Sequence, residues 1–200
     1  MNEAVKIISP TVERVDKREV LRYAGVRSEA DKKTLDLLDE CLKLADGKLQ
    51  YKICYKSFPV DRHGNIFDLG FASVSSDTAK KRLDGCKKII LFASTVGIEL
   101  DRLILRYSAI SPARAHMLQA IGTERIEALC DAFEELLKTE YLNICPRFSV
   151  GYGDLPLGLQ KEIFGVLDCP KNIGLTLNES LLMSPTKSVT AIIGIKEDIK

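Results

Sequence analysis

The pattern of apolar and polar positions changes character several times along the chain. Between Ser28 and Gly47, apolar residues recur at Leu35, Leu38, Leu42 and Ala45, a spacing that gives a helix one apolar face. Ser28 and Asp31 are placed to form a capping box at its start, and Gly47 stops it. The next stretch, L-Q-Y-K-I-C-Y-K-S-F, alternates apolar with polar residues. It turns through D-R-H-G and resumes as N-I-F-D-L-G-F-A-S-V, which predicts an antiparallel hairpin with one buried face and His63 at its tip. A short helix from about Ser76 to Leu83, stopped by Gly85, leads into K-K-I-I-L-F-A-S, whose unbroken apolar run predicts a central strand.

The second half reads as mainly helical. Ile98, Leu100, Leu103, Ile104 and Tyr107 share one helix face, and a longer helix is expected from about Pro112 to Leu142, with proline near its start. Gly122 inside it marks either a kink or a close helix contact. L-G-L-Q-K-E-I-F-G-V-L-D reads as a further helix, and S-V-T-A-I-I-G-I as the last strand. This order of elements predicts an α+β fold: one domain over residues 1–200, with a mainly antiparallel twisted sheet and flanking helices. The sheet is expected to include the segments near Leu49, Ile66, Ile90, Phe148 and Val189.

Composition narrows the partners. Lysine and arginine total 29 against 28 acids, and a net charge of +1 gives no broad field for nucleic acid or anionic lipid. The longest apolar runs, I-I-L-F-A and A-I-I-G-I, fall far short of a bilayer span. The opening M-N-E-A-V-K lacks the basic start and apolar run of a secretory signal, so a cytoplasmic location is expected. Six cysteines form no C-x-x-C pair and read as reduced structural thiols. With only His63 and His116 as imidazoles, no metal site is expected.

Candidate chemistry gathers after the long helix, where residues 147–156 read R-F-S-V-G-Y-G-D-L-P. Glycine, aspartate and proline favour a loop there. The two glycines lack the spacing of a dinucleotide-binding G-x-G-x-x-G, and no βαβ unit surrounds them. Ser184 to Lys187 reads S-P-T-K, but Pro185 and the following β-rich run argue against the helix that an S-x-x-K nucleophile requires. On the long helix Glu127, Asp131 and Glu135 recur four residues apart, opposite Leu129, Phe133 and Leu136. They form either a solvated acidic edge or a pocket wall that attracts a cation.

The same C-terminal quarter resembles a known family. Arg147, Gly151 and Tyr152 match an R-x-x-x-G-Y signature. Downstream, Glu179, Ser180, Met183, Pro185, Ser188 and Val189 match an L-T-E-S-x-x-M-x-P-x-x-S-V block at consistent spacing. In this order, the two motifs resemble those of the activation (reactivation) domain of vitamin B12-dependent methionine synthase. The resemblance covers about the last fifty residues and reaches more weakly into D-A-F-E-E-L-L of the long helix. After the tyrosine the family continues P-A-C-P-D, whereas this chain has Gly153, Asp154, Leu155 and Pro156.

The resemblance implies a free-standing S-adenosylmethionine-binding component of methionine biosynthesis. It would support reductive remethylation of cob(II)alamin on a separate corrinoid-carrying chain, with an electron-donor protein as a further partner. Such a ligand carries a carboxylate, an ammonium, a sulfonium and an adenine. Arg147 would then meet the carboxylate or brace the loop, Gly151 and Gly153 would let backbone amides approach, and Tyr152 would offer its ring. Asp131 and Glu135 are the candidate partners of the cationic end. Two other readings are a non-catalytic scaffold that keeps the fold without the ligand, and a methyltransferase acting on a small molecule.

Overall fold

Side-chain caps fix three helix starts. The Asp16 carboxylate accepts from the amides of Arg18 and Glu19, that of Asp31 from Thr34, and the Ser76 hydroxyl from Ala79. Each supplies an acceptor to amides that the first turn of a helix leaves unpaired. The cap of the second helix is thus Asp31 alone; Ser28, expected to share a capping box, lies outside it.

In the computed structural model, which describes residues 4–198, the elements follow in the order β1 (Lys6–Ile8), α1 (Lys17–Tyr23), α2 (Lys32–Ala45), β2 (Lys52–Pro59), β3 (Asp61–His63), β4 (Ile66–Asp68), β5 (Ser73–Ser75) and α3 (Asp77–Arg82). Then come β6 (Lys88–Thr95), α4 (Ile98–Ile110), α5 (Pro112–Glu140), β7 (Tyr141–Ile144), α6 (Gln160–Leu167), α7 (Cys169–Ile173), β8 (Thr176–Leu177), β9 (Met183–Ser184) and β10 (Ser188–Asp198). Five strands form one antiparallel sheet in the order β1-β2-β6-β10-β7, giving the single α+β domain that the pattern predicts.

The sheet departs from expectation in its membership. β2 pairs with β6 from Lys52↔Thr95 to Pro59↔Lys88, and its other edge takes β1. With both edges occupied, β2 has no edge for the segment at Ile66, which instead joins β3 and β5 in a separate three-stranded sheet. The D-R-H-G turn is therefore the β3–β4 turn, not the far end of a hairpin begun by β2. Leu49 precedes its strand, and Phe148 contributes a single bridge to Ile192. The helix ends at Glu140, and Tyr141 and Leu142, read as its last residues, instead open β7, because the free edge of β10 offers the segment pairing. β1 and α1, three and seven residues long, are too short to show a period.

Strand alternation divides the core between the two faces of the sheet. On β6, Ile90 and Phe92 point to one side, and Ile89, Leu91 and Ala93 to the other. The first side is covered by α1, α2, α4 and α5, with Phe133 of α5 between Tyr55 and Phe92 at ring-centroid distances of 5.0 Å to each. The second is covered by the small sheet, α3, α6, α7 and the loop carrying Phe148, Val150 and Leu155. β6 is consequently apolar on both faces, which explains its unbroken run. Gly122 resolves as a close contact within an unbroken helix, since a Cβ there would come within 2.6 Å of Leu100 Cδ2 and 2.8 Å of Lys187 Cγ.

Candidate functional site

The solvent side of α5 is acidic where its other side enters the core. Glu124, Glu127, Asp131 and Glu134 follow one another at three- and four-residue steps and so lie along one helix face. Across from them runs the segment from Thr11 to Tyr23, and the two enclose a cleft of about 710 Å³. Seven carboxylates line it (Glu13, Asp16, Glu19, Glu124, Glu127, Asp131 and Glu135) against two arginines, Arg14 and Arg125.

A buried ion pair anchors the cleft floor. Arg125 and Glu124, 2% and 5% exposed, form a two-pronged pair between adjacent residues. The pair also reaches the opposite wall. Arg125 Nη1 donates to the Glu13 carbonyl at 2.6 Å, and the Asp16 amide donates to Glu124 Oε1 at 3.1 Å. Burial is the largest single influence on Arg125 and would lower its pKa, but the Glu124 carboxylate and, after it, Tyr51 together outweigh it and the net shift is upward.

Arg147 reaches this helix from the sheet. The Cys145 amide donates to the Gly194 carbonyl at 2.8 Å, and Phe148 exchanges two backbone hydrogen bonds with Ile192. The ring of Phe148 enters the core of the second face, so alternation sends its neighbour Arg147 the other way, toward α5. There Nη1 donates to Asp131 Oδ1 at 2.7 Å and to Glu134 Oε1 at 2.5 Å, while Nη2 donates to Glu127 Oε2 at 2.8 Å. Burial is the largest single influence on this guanidinium and pulls its pKa down. The hydrogen bonds to Glu134, Glu127 and Asp131 together overcome it, and Arg147 stays charged.

The residues after Arg147 form a turn braced against α3. The Gly151 amide donates to the Leu155 carbonyl at 2.9 Å, so it closes the turn rather than facing a ligand. Gly151 and Gly153 have φ of 83° and 63°, a region where a side chain is strained, and a Cβ on Gly153 would fall 2.3 Å from Thr78 Oγ1. Asp154 accepts from the Ser76 hydroxyl and from the amides of Asp77 and Thr78. Hydrogen bonds from the Ser76 and Thr78 side chains, then from these amides, hold its pKa well below the ordinary 3.8. Tyr152 projects into solvent, 61% exposed.

Of the six residues singled out by sequence, the structure brings Arg147 and Asp131 into contact and sets Glu135 in the same cleft. Arg147 itself, Gly151, Tyr152 and Gly153 are not among the residues that line it; Arg147 meets the cleft only through Glu127 and Asp131. Sequence reasoning passed over Glu134, the third carboxylate on Arg147, although it lies three residues beyond Asp131 on the same face. It also passed over the wall from Glu13 to Glu19, whose mixed charges carry no motif. Several residues of the second motif block hold the fold together. Asn178 and Leu182 close the turn between β8 and β9, and Asp101 accepts from the amide and hydroxyl of Thr186. Ser184 lies in β9, not at a helix start, and Lys187 Nζ donates to Thr123 Oγ1 at 2.9 Å.

Residues 122–200 match the family model of the vitamin B12 dependent methionine synthase, activation domain. The resemblance is to the methionine synthase activation domain. The matched span contains the acidic row of α5 from Glu124, Arg147, the loop at Gly151–Gly153 and the second motif block; the cleft wall from Thr11 to Tyr23 lies outside it. No curated protein matches the sequence. Among solved structures the chain is similar to the reactivation domain of MetH bound to AdoHcy, at 18% identity and a TM-score of 0.69, covering all of this chain and 80% of that one. At that identity the likeness is one of fold, and the activation-domain fold extends over the whole chain.

Proposed function

We propose that this chain is an S-adenosylmethionine-binding component of cobalamin-dependent methionine synthase, serving a corrinoid carried by a partner chain. The observation that carries the reading is the position of Arg147, the first residue of the matched signature, on the acidic row that forms one wall of the cleft. S-adenosylmethionine is a net cation at neutral pH, and the cleft keeps a negative excess that suits it: seven carboxylates line it against Arg14 and Arg125, with Arg22, Lys138 and Arg147 paired from outside to Glu19, to Glu135 and to Glu127 and Asp131. A volume of about 710 Å³ is within the usual range for ligands of that size. AdoHcy, the ligand in the similar solved structure, is the same molecule without its transferable methyl group and one positive charge.

In this reading Asp131 and Glu135 face the ammonium and sulfonium end. Arg147 holds Asp131 and Glu127 in position and supplies a positive charge near the ligand carboxylate. Tyr152, exposed on its turn, is placed to contact the ligand or the incoming partner. A partner's cobalamin would supply the methyl-accepting cobalt, while this chain would orient the donor. Neither His63 nor His116 lines the cleft. His63 ends the exposed β3 strand and His116 Nε2 lies 3.1 Å from the Ala24 carbonyl.

The test has two arms. Calorimetry with S-adenosylmethionine and AdoHcy should give saturable binding that Asp131→Asn weakens. Mixing the protein with a methionine synthase truncated before its activation domain, in the cob(II)alamin form with reductant and S-adenosylmethionine, should speed methylcobalamin formation. One observation favours a second reading, a scaffold without ligand: the guanidinium of Arg147 already engages three carboxylates. Absence of binding in the first arm, with and without the partner, would decide for that scaffold.

A further inference from the structure

Four of the six cysteines are buried; Cys86 and Cys145 are half-buried, and their Sγ atoms lie 3.5 Å apart. The pair sits where three elements meet. Cys86 follows α3, its amide donating to the Leu83 carbonyl, and Cys145 follows β7, its amide donating to the Gly194 carbonyl of β10. Gly194 makes room for the meeting, because a Cβ there would fall 2.6 Å from Cys86 Sγ and 3.5 Å from Cys145 Cβ. Burial, with the hydrogen bond to Cys145 adding, pushes the Cys86 thiol up to about 12, so the resting pair is a hydrogen-bonded dithiol.

We propose that Cys86 and Cys145 are a thiol modification site, an oxidisable pair that closes to an intramolecular disulfide by exchange with a low-molecular-weight disulfide. One cysteine, as thiolate, attacks a sulfur of the small disulfide and expels the first thiolate, leaving a mixed disulfide. The second cysteine, as thiolate, then attacks the protein sulfur of that bond and expels the other. Two protein thiols are oxidised, one disulfide is reduced to two thiols, and the protein's two protons pass through solvent to the departing thiolates. The sulfurs start 3.5 Å apart, against a bonded distance of about 2.05 Å. The bond would join residues 59 apart in sequence, fixing the start of β6 to the turn that delivers Arg147 to α5.

The experiment treats the full chain with oxidised glutathione at pH 8.5, blocks the remaining thiols with an alkylating agent and maps the peptides by mass spectrometry under non-reducing conditions. The expected result is one Cys86 peptide joined to one Cys145 peptide in a monomer, with the four buried cysteines alkylated after denaturation. The cross-linked protein should melt higher, by on the order of 5–10 °C, and return on reduction. Cys86→Ser and Cys145→Ser should each show neither the cross-link nor the shift, while giving the reduced wild-type melting curve. Stable mixed disulfides with glutathione at either cysteine, links to other cysteines or between chains, or two unmodified thiols would each overturn the proposal.

Discussion

Arg147 Nη1 and Asp131 Oδ1 lie 2.7 Å apart, joining the first residue of the glycine-containing loop to the middle of α5. Asp131 has a 66% exposed side chain, whereas Glu134, on the same nitrogen, is 19% exposed. The arginine is therefore held from below by Glu134 and contacted from the solvent side by Asp131, which makes Asp131 the contact that a ligand can exchange.

That asymmetry separates two substitutions. Asp131→Asn should change stability by less than about 0.5 kcal/mol, because an exposed ion pair contributes little. It should still weaken S-adenosylmethionine several-fold in calorimetry. Arg147→Ala leaves three carboxylates facing one another and should cost roughly 1.5–3 kcal/mol in urea unfolding, with a ten- to hundredfold loss of ligand affinity. A loss of stability in Arg147→Ala with unchanged affinity would reduce the arginine to a brace.

Glu124→Gln should be among the most disruptive single changes at the cleft. It leaves the Arg125 charge buried with its main partner neutralised, at an expected cost of about 3–5 kcal/mol. Glu124→Gln combined with Arg125→Met removes both charges and should recover most of that loss, as read from denaturation midpoints.

Asp154 supplies a pH test. Its folded pKa is depressed below 3.8, so in mild acid the unfolded chain takes up this proton before the folded one does. Its stabilising effect is complete above about pH 5 and is lost as pH falls through the folded value. The melting temperature of wild type should therefore drop more steeply from pH 5 to pH 3 than that of Asp154→Asn. Equal slopes would mean that the carboxylate does not hold the turn to α3.

Gly122→Ala sets helix propensity against packing. Alanine favours a helix interior by about 1 kcal/mol over glycine. Yet the new methyl would strike Leu100, which is fully buried and cannot swing aside, as well as the stem of Lys187. Overpacking should win, leaving a net loss of about 1–2 kcal/mol that thermal unfolding can detect.

How far the sequence was legible followed the length of each signal. α2, α4 and α5 repeat an apolar face over three or more turns, and β6 carries a run that only a doubly covered strand needs. Local pattern could not choose between two partners for β2, because that choice depends on β6, about forty residues later in the chain. At the site, Asp131 and Glu135 were readable as one face of a helix. The bond from Arg147 to that face was not, since it depends on the alternation that buries Phe148. The wall from Glu13 to Glu19 owes its place to Glu124 and Arg125, and nothing local to residues 13–19 announces it.

Those ties to Glu124 and Arg125 span 108 and 112 residues, which gives the cleft an order of assembly. At a synthesis rate of about 5–20 residues per second, the N-terminal segment waits roughly 5–20 s before the helix that secures it has even been made. The acidic groove cannot close until α5 has been made, and its ends contribute long-range contacts that slow folding. On ribosome-bound chains halted before Glu124, residues 11–23 should be cut readily by protease, and halting well beyond Arg147 should protect them. A protease thus has a window in which the unfinished domain is cut at residues 11–23, and that window shuts once α5 is in place.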